Sequence, residues 1–347
     1  IIQTEARCLS TNPEGLTGSG DVFIYGTEGW MTISPDGYKT YFGQKNEPGP
    51  ARSDKDFPKE ELHDGWQNLI DCVRSRKRED LDNDILDEEE FLHQDELVME
   101  ESRAMLDYEL GRFESGALFY YVSSTDQRQH MFWRLMDPGH PTYDPRLAAR
   151  FGDTVQNIYE RMDHFVGKIL TRVDRNTRFL VLSDHGFTPY HRSFHLNSWL
   201  KDHGYLKLKD ESKQGEQEFF QNVDWSRSRA YALGFNGLYL NRRGREGMGA
   251  VSSAEAPALE EEIALKLERL KDPETGKRTV LKAYKAGESY SGPYEREGPD
   301  IVVGYNRGYR ASWQTALGKV PKHWYETNNK KWSGDHCMAS DILPGIL

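Results

Sequence analysis

The sequence predicts an α/β protein whose larger part is a mostly parallel, doubly wound sheet flanked by helices, preceded by a small α+β segment of short antiparallel strands and a helix. Three observations carry this expectation. Two short apolar runs, at 117–123 and 179–183, have the length and residue types of buried strands. Between them Phe151, Val155, Ile158, Met162, Phe165, Val166, Ile169 and Val173 recur every three or four residues, the pattern of an amphipathic crossover helix. Strand, helix and parallel strand make a βαβ unit. Before residue 86 the character differs: short apolar runs at 22–26, 30–34 and 38–42 are separated by Gly and Pro-Asp-Gly turns, as in a meander.

The remaining elements follow in order. A Gly/Pro-rich connection at 46–58 leads to a helix over 62–76, with Trp66, Leu69, Ile70 and Val73 on one face. Arg74, Arg76, Lys77 and Arg78 suit its C-terminal end, where cations meet the negative pole of the helix dipole. From Asp87 the apolar positions Phe91, Leu92, Val98, Met99, Met105, Leu106 and Leu110 in a charged background predict a long amphipathic helix leading into the strand at 117–123. Further on, 210–217 reads as a polar surface excursion, 251–270 as a helix rich in Glu and Ala, and 300–304 as another strand. No internal repeat or low-complexity tract interrupts the pattern.

A chain of 347 residues can form one large or two medium domains. Its net charge of −11 argues against a nucleic-acid-binding surface, which needs basic residues to neutralise phosphates. No apolar run approaches the roughly 20 residues that span a bilayer, and the N-terminus, which opens on Ile1, has no signal-peptide pattern. Membrane association is therefore not expected. Cys8, Cys72 and Cys337 are odd in number and far apart, which suits reduced thiols in a cytoplasmic protein, Cys337 beside His336 being an ordinary buried small residue. Gly15, Gly18 and Gly20 do not form G-x-G-x-x-G after a strand, so no NAD site is expected. Oligomeric state leaves no mark on the sequence.

The chemistry concentrates after the two apolar runs, at the carboxyl ends of the expected strands, where open α/β sheets carry their sites. Asp126 and His130 are four apart and would share one face of a helix, able to chelate a single ion, although Thr125 or Asp126 could equally be a helix N-cap. Asp184 and His185 follow the second run, where a turn using Gly186 at positive φ is the plainer alternative. A third imidazole could be His336, in Trp332-Ser333-Gly334-Asp335-His336, but His140, His191 and His195 compete and spacing does not choose. Two carboxylates and several imidazoles at one sheet edge suit a divalent metal and metal-assisted hydrolysis.

Taken together, these motifs give residues 87–347 a family resemblance. Ser123-Ser124-Thr125-Asp126-Gln127-x-x-His130-Met131-Phe132-Trp133-Arg134, Ser183-Asp184-His185-Gly186-Phe187, Phe194-His195-Leu196-Asn197-x-Trp199-Leu200 and Lys331-Trp332-Ser333-Gly334-Asp335-His336 resemble the phosphodiesterase and nucleotide pyrophosphatase branch of the alkaline phosphatase superfamily. The resemblance implies an alkaline phosphatase-like fold, here incomplete, acting on a small phosphate ester at a two-metal site. Zinc is the usual ion, while manganese or iron would tolerate the same ligands. Asp126, His130 and His336 would hold one ion; Asp184 and His185 would hold the other, with an Asp and a Ser or Thr nucleophile from further toward the N-terminus. His195, Asn306, Arg310 and Lys331 would be substrate or supporting residues, although structural hydrogen bonds would account for them equally well.

Residues 1–86 instead resemble the C-terminal domain of Gfo/Idh/MocA oxidoreductases. The motifs are Tyr25-Gly26-Thr27-Glu28-Gly29-Trp30-Met31, Lys45-x-Glu47-Pro48-Gly49-Pro50 and Trp66-Gln67-Asn68-Leu69-Ile70-Asp71-Cys72-Val73-Arg74-Ser75-Arg76-Lys77. The sequence thus reads as a fusion of an oxidoreductase-like fragment, 1–86, with a phosphodiesterase-like domain, 87–347, in which no nucleophile is recognisable. A weak or inactive hydrolase is the expectation, with a dehydrogenase fragment or a non-catalytic fusion product as the rivals.

Overall fold

The computed structural model describes residues 81–82 and 86–347 in full, and before them the backbone of four short strands. It divides into two compact units, Ile1–Tyr121 and Val122–Leu347. In the first unit, β1 (Arg7–Cys8), β2 (Val22–Tyr25), β3 (Gly29–Ile33) and β4 (Tyr41–Gln44) form one sheet in sequence order. All neighbours are antiparallel, with Tyr25 opposite Trp30. This is the expected meander, its last strand three residues later than the apolar run suggested. The helix expected at 62–76 lies outside the described residues.

Helix α1 (Glu88–Leu110) begins where Asp87 predicts. The Asp87 carboxylate accepts from the Glu90 N–H at 2.9 Å and the Glu90 carboxylate accepts from the Asp87 N–H at 2.9 Å, a reciprocal capping box. Glu88, Glu89 and Glu90 lie at the positive end of the helix dipole. Phe91, Asp95, Val98, Ser102 and Leu106 are buried at helical spacing, so one face is covered, while Met105 of the expected apolar set is exposed.

The second unit holds two sheets. In one, β5 (Thr188–Phe194) lies between β10 (Gly308–Ala311) and β11 (Tyr325–Thr327), and its first residues also pair with β12 (Gly334–Asp335). In the other, the order is β6 (Ala230–Leu233), β7 (Gly237–Leu240), β9 (Ile301–Tyr305), β8 (Val280–Lys285), antiparallel throughout. The strand expected near 300–304 is thus a central one. Helix α5 (Ala256–Arg269), within the expected 251–270, buries Leu259, Ile263 and Leu267 at four-residue spacing in the core that Trp199, Leu238, Val303 and Tyr305 also fill. Each such buried aliphatic side chain contributes about 1.5–3 kcal/mol. The polar stretch 210–217 is a surface turn region, as expected.

Helices α2 (Ser124–Met136), α3 (Pro145–Phe151) and α4 (Thr154–Leu170) precede these sheets. The crossover helix forms as α4, but only Thr154, Val155 and Ile158 of it are buried. Here the sheet expected from sequence is met in part. Among the described strands only β10 and β5 run parallel, and neither 117–123 nor 179–183 carries a ladder. A parallel strand needs partners at its edges and helices over both faces. Neither run has that cover: Phe119 is 80% and Leu180 72% exposed. At the end of the second run the Ser183 N–H donates to the Ile346 carbonyl (3.1 Å) and the Gly186 N–H to the Leu343 carbonyl (3.3 Å), so residues 343–346 take these groups. The fold class is mixed α/β, with mainly antiparallel sheets among the described residues.

Candidate metal centre

Helix α2 supplies the first two ligand candidates. Its N-cap is Ser123, which makes no side-chain capping bond, so Asp126 sits inside the first turn instead of capping it. The i, i+4 relation brings His130 Nε2 to 3.3 Å from Asp126 Oδ1. His130 is buried, and its Nδ1 lies 2.7 Å from the Gly334 carbonyl oxygen. A carbonyl only accepts, so Nδ1 carries a proton and Nε2 faces Asp126. Nδ1–H on a carbonyl and Nε2 toward the ion is the usual pose of a ligating imidazole.

Residues 332–337 bring the third ligand. The Ser333 N–H donates to the His130 carbonyl (2.6 Å), and the Arg134 N–H donates to Ser333 Oγ (2.9 Å), fastening this segment along α2. Only glycine fits next: a Cβ on Gly334 would stand 2.4 Å from the Gln129 carbonyl oxygen and 3.1 Å from Trp133 Cβ. Pairing of Gly334 with Pro189 and of Asp335 with Thr188 then fixes the register of β12 on β5. His336 Nε2 arrives 3.7 Å from Asp126 Oδ1. The ligand atoms of Asp126, His130 and His336 all lie within 4.8 Å of one another.

His185 joins the same cluster. Its ring stacks on His336 with centroids 3.6 Å apart and planes 13° apart, and its Nε2 is 4.0 Å from Asp126 Oδ1. Asp184 does not converge to the same degree: its carboxylate is 76% exposed, 3.6 Å from His185 Nε2. Gly186 does not use positive φ; it is required because a Cβ would stand 2.5 Å from the Pro344 carbonyl oxygen. Phe187 and Trp332 wall the cluster, their rings centred 4.9 and 3.8 Å from that of His130.

The competing imidazoles are committed elsewhere. His140 Nε2 bonds the Tyr190 carbonyl (3.0 Å) while its Nδ1 accepts from the Thr142 N–H (3.1 Å). His191 Nε2 is 2.7 Å from Asp137 Oδ2, and His195 Nδ1 is 2.7 Å from Ser312 Oγ in the core. Burial brings His140 and His195 down to about 4, and burial with His130 and His185 alongside does the same to His336. A neutral His336 keeps its lone pair for a cation.

A second ligand-type group, Asp335, His336 and Cys337, shares His336. It is the poorer donor set. Burial, and Asp335 beside it, push the Cys337 thiol up, so it stays protonated. Burial alone would raise Asp335, but the Arg310 guanidinium, then His130 and the Cys337 N–H, outweigh it and hold the carboxyl well below the usual range.

Of the four supporting residues expected from sequence, Arg310 reaches the segment bearing His336: its Nη1 is 3.1 Å from Asp335 Oδ2. Asn306 serves a turn, donating from Nδ2 to the Arg278 carbonyl (2.9 Å). His195 belongs to the Ser312 cluster, and Lys331 is a half-buried residue just before Trp332. Sequence reasoning passed over Asp335 and Trp332 as supporting residues, although both stand in the motif that carries His336. Asp126, His130 and His336 form a carboxylate and two-imidazole set that fits zinc, manganese or iron by donor chemistry.

Among the described residues, no helix is long and apolar enough to cross a membrane. The sequence model of the type I phosphodiesterase / nucleotide pyrophosphatase family matches residues 21–333. No curated protein and no solved structure matches the chain. The matched range takes in Asp126, His130, Asp184 and His185, and begins well before residue 87, where the sequence alone suggested an oxidoreductase-like segment. His336 lies just beyond it, so its place in the cluster rests on geometry. With most of its length matched, the chain belongs to the type I phosphodiesterase / nucleotide pyrophosphatase family.

Proposed function

We propose that this chain is a metal-dependent phosphoric ester hydrolase acting on a small phosphate ester, with one divalent ion held by Asp126, His130 and His336. The observation that carries the reading is the convergence of three imidazole Nε2 atoms, at 3.3, 3.7 and 4.0 Å, on one carboxylate oxygen of Asp126. Imidazole nitrogens gathered around a carboxylate oxygen make a donor set for a cation. Family membership supports the same chemistry. When bound, the ion would supply Lewis acidity toward a phosphoryl oxygen.

The protein's own groups set that up. Gly334 fixes the His130 tautomer through its carbonyl, and burial keeps His336 neutral. Phe187 and Trp332 limit water around His130 and so strengthen the local electrostatics. Asp184 and His185 would complete a second, weaker position, since Asp184 stays largely solvated. Residues 1–86 are read as an oxidoreductase-like segment that brings neither a nucleophile nor a nicotinamide site, so turnover is low. The setting proposed is cytoplasmic.

Calorimetric titration of the metal-stripped chain with Zn2+ and Mn2+, together with hydrolysis of an aryl phosphodiester, tests this. One tightly bound ion per chain with slow hydrolysis is expected. Absence of metal binding would overturn the reading; two equally tight ions with ordinary turnover would overturn the single-ion part. Titration with NAD separates the dehydrogenase alternative, and no binding is expected.

A further inference from the structure

Asp335 is buried, and each of its oxygens is attached to something that carries a ligand. Oδ1 accepts the backbone N–H of His336 at 2.7 Å and of Cys337 at 2.8 Å. These two bonds fix the backbone from which the His336 ring projects. Oδ2 accepts the Trp332 indole N–H at 2.7 Å. That indole lies against His130, with ring centroids 3.8 Å and planes 32° apart. One carboxylate therefore sets the pose of both imidazoles, His336 through the main chain and His130 through the indole.

Arg310 holds Asp335 in turn. Its Nη1 is 3.1 Å from Asp335 Oδ2, and its guanidinium is centred over the rings of Trp313 (4.1 Å), Phe235 (4.5 Å) and Tyr190 (5.1 Å). Buried and clamped by aromatic faces, the guanidinium has little room to turn away from the carboxylate. Nε and Nη1 of Arg310 make no well-angled hydrogen bond, so this contact acts as a charge pair and not as a bidentate fork.

We infer that Asp335, held by Arg310, is a positioning residue that aligns His130 and His336 for a shared divalent cation, with Trp332 as its link to His130. The inference rests on the proposed metal reading. Supporting groups of this kind set the orientation of ligating imidazoles, and their loss typically costs about 10–100-fold in metal affinity. Nothing about a purely structural Asp335 would require Trp332 Nε1 to matter for metal binding. The role of the indole is therefore the sharper test.

The metal-stripped chain, Asp335→Asn and Trp332→Phe are titrated with Co2+, reading affinity and the visible absorption band, with far-ultraviolet circular dichroism as the check on folding. The parent chain is expected to bind Co2+ with a distinct band. Asp335→Asn is expected to weaken binding about 10–100-fold and to move the band, and Trp332→Phe to weaken it about 3–10-fold with the fold retained. If Asp335→Asn does not fold, because Arg310 is left with an uncompensated buried charge, Trp332→Phe decides alone. Folded variants whose Co2+ affinity and band match the parent's overturn the positioning role while leaving the metal reading intact. A parent chain that takes up no Co2+ sinks the metal reading, and the positioning role with it.

Discussion

The chain carries two Asp/His motifs of the same chemistry, and they are held very differently. Asp126 and His130 ride on a helix to which residues 332–337 are fastened by main-chain bonds, and a third ligand arrives on a paired strand. Asp184 and His185 follow an uncovered apolar run, and only His185 is drawn inward, by stacking on His336. Residue type is therefore not what makes one motif a site. What differs is whether long-range backbone contacts fix the side chains before any ligand binds, so that ordering costs little on binding.

The largest test of that contrast is Asp126→Ala. It removes the oxygen on which three imidazoles converge, and divalent-ion affinity is expected to fall by more than about 100-fold, read by calorimetry. Next is Gly334→Ala. Its Cβ collides with the Gln129 carbonyl, so the segment must lift from α2; about 1–3 kcal/mol of stability in urea unfolding should be lost, and metal affinity with it. Unchanged affinity in that variant would show that the fastening is dispensable.

A smaller effect separates structural imidazoles from ligating ones. His140 has its ordinary value of 6.5 in the unfolded chain and about 4 when buried in the fold. Unfolded chains therefore bind a proton that folded ones refuse as pH falls below 6.5 toward 4. Stability is full above that window and declines through it, by about 2 kcal/mol from His140 between pH 7 and 5. His140→Gln should flatten this slope in unfolding experiments without changing metal affinity. The smallest expected effect is that of Asp184→Asn. With its carboxylate mostly solvated, affinity for the first ion should change by less than about threefold and stability by less than about 0.5 kcal/mol. A loss as large as that of Asp126→Ala would erase the contrast between the two motifs.

Much of this was legible in the sequence, and the failures have one cause. Asp87 with Glu90 announces α1, because a capping box is a local interaction. Asp126 and His130 announce a chelate for the same reason, being one helical turn apart. Spacing did not choose His336 over His140, His191 and His195, and only the family resemblance named it, since the choice depends on the fit of Gly334 under Gln129 and on pairing with β5. The runs at 117–123 and 179–183 have strand-forming residues, but a ladder also needs a partner backbone, which no run contains within itself. For Asn306 and His195 the sequence left substrate, supporting and structural roles open; Asn306 donates to the Arg278 carbonyl and His195 Nδ1 lies 2.7 Å from Ser312 Oγ.

The bond from His130 Nδ1 to the Gly334 carbonyl spans 204 residues of sequence. During synthesis, Asp126 and His130 leave the ribosome long before the segment that orients and completes them. On the proposed metal reading, a nascent chain would hold Asp126 and His130 before the Gly334 carbonyl that orients the imidazole and before His336. The loop that must close is long, but its entropic cost grows only logarithmically, so the delay is one of time more than of equilibrium. Metal uptake by this chain should therefore mark the end of folding and not its beginning.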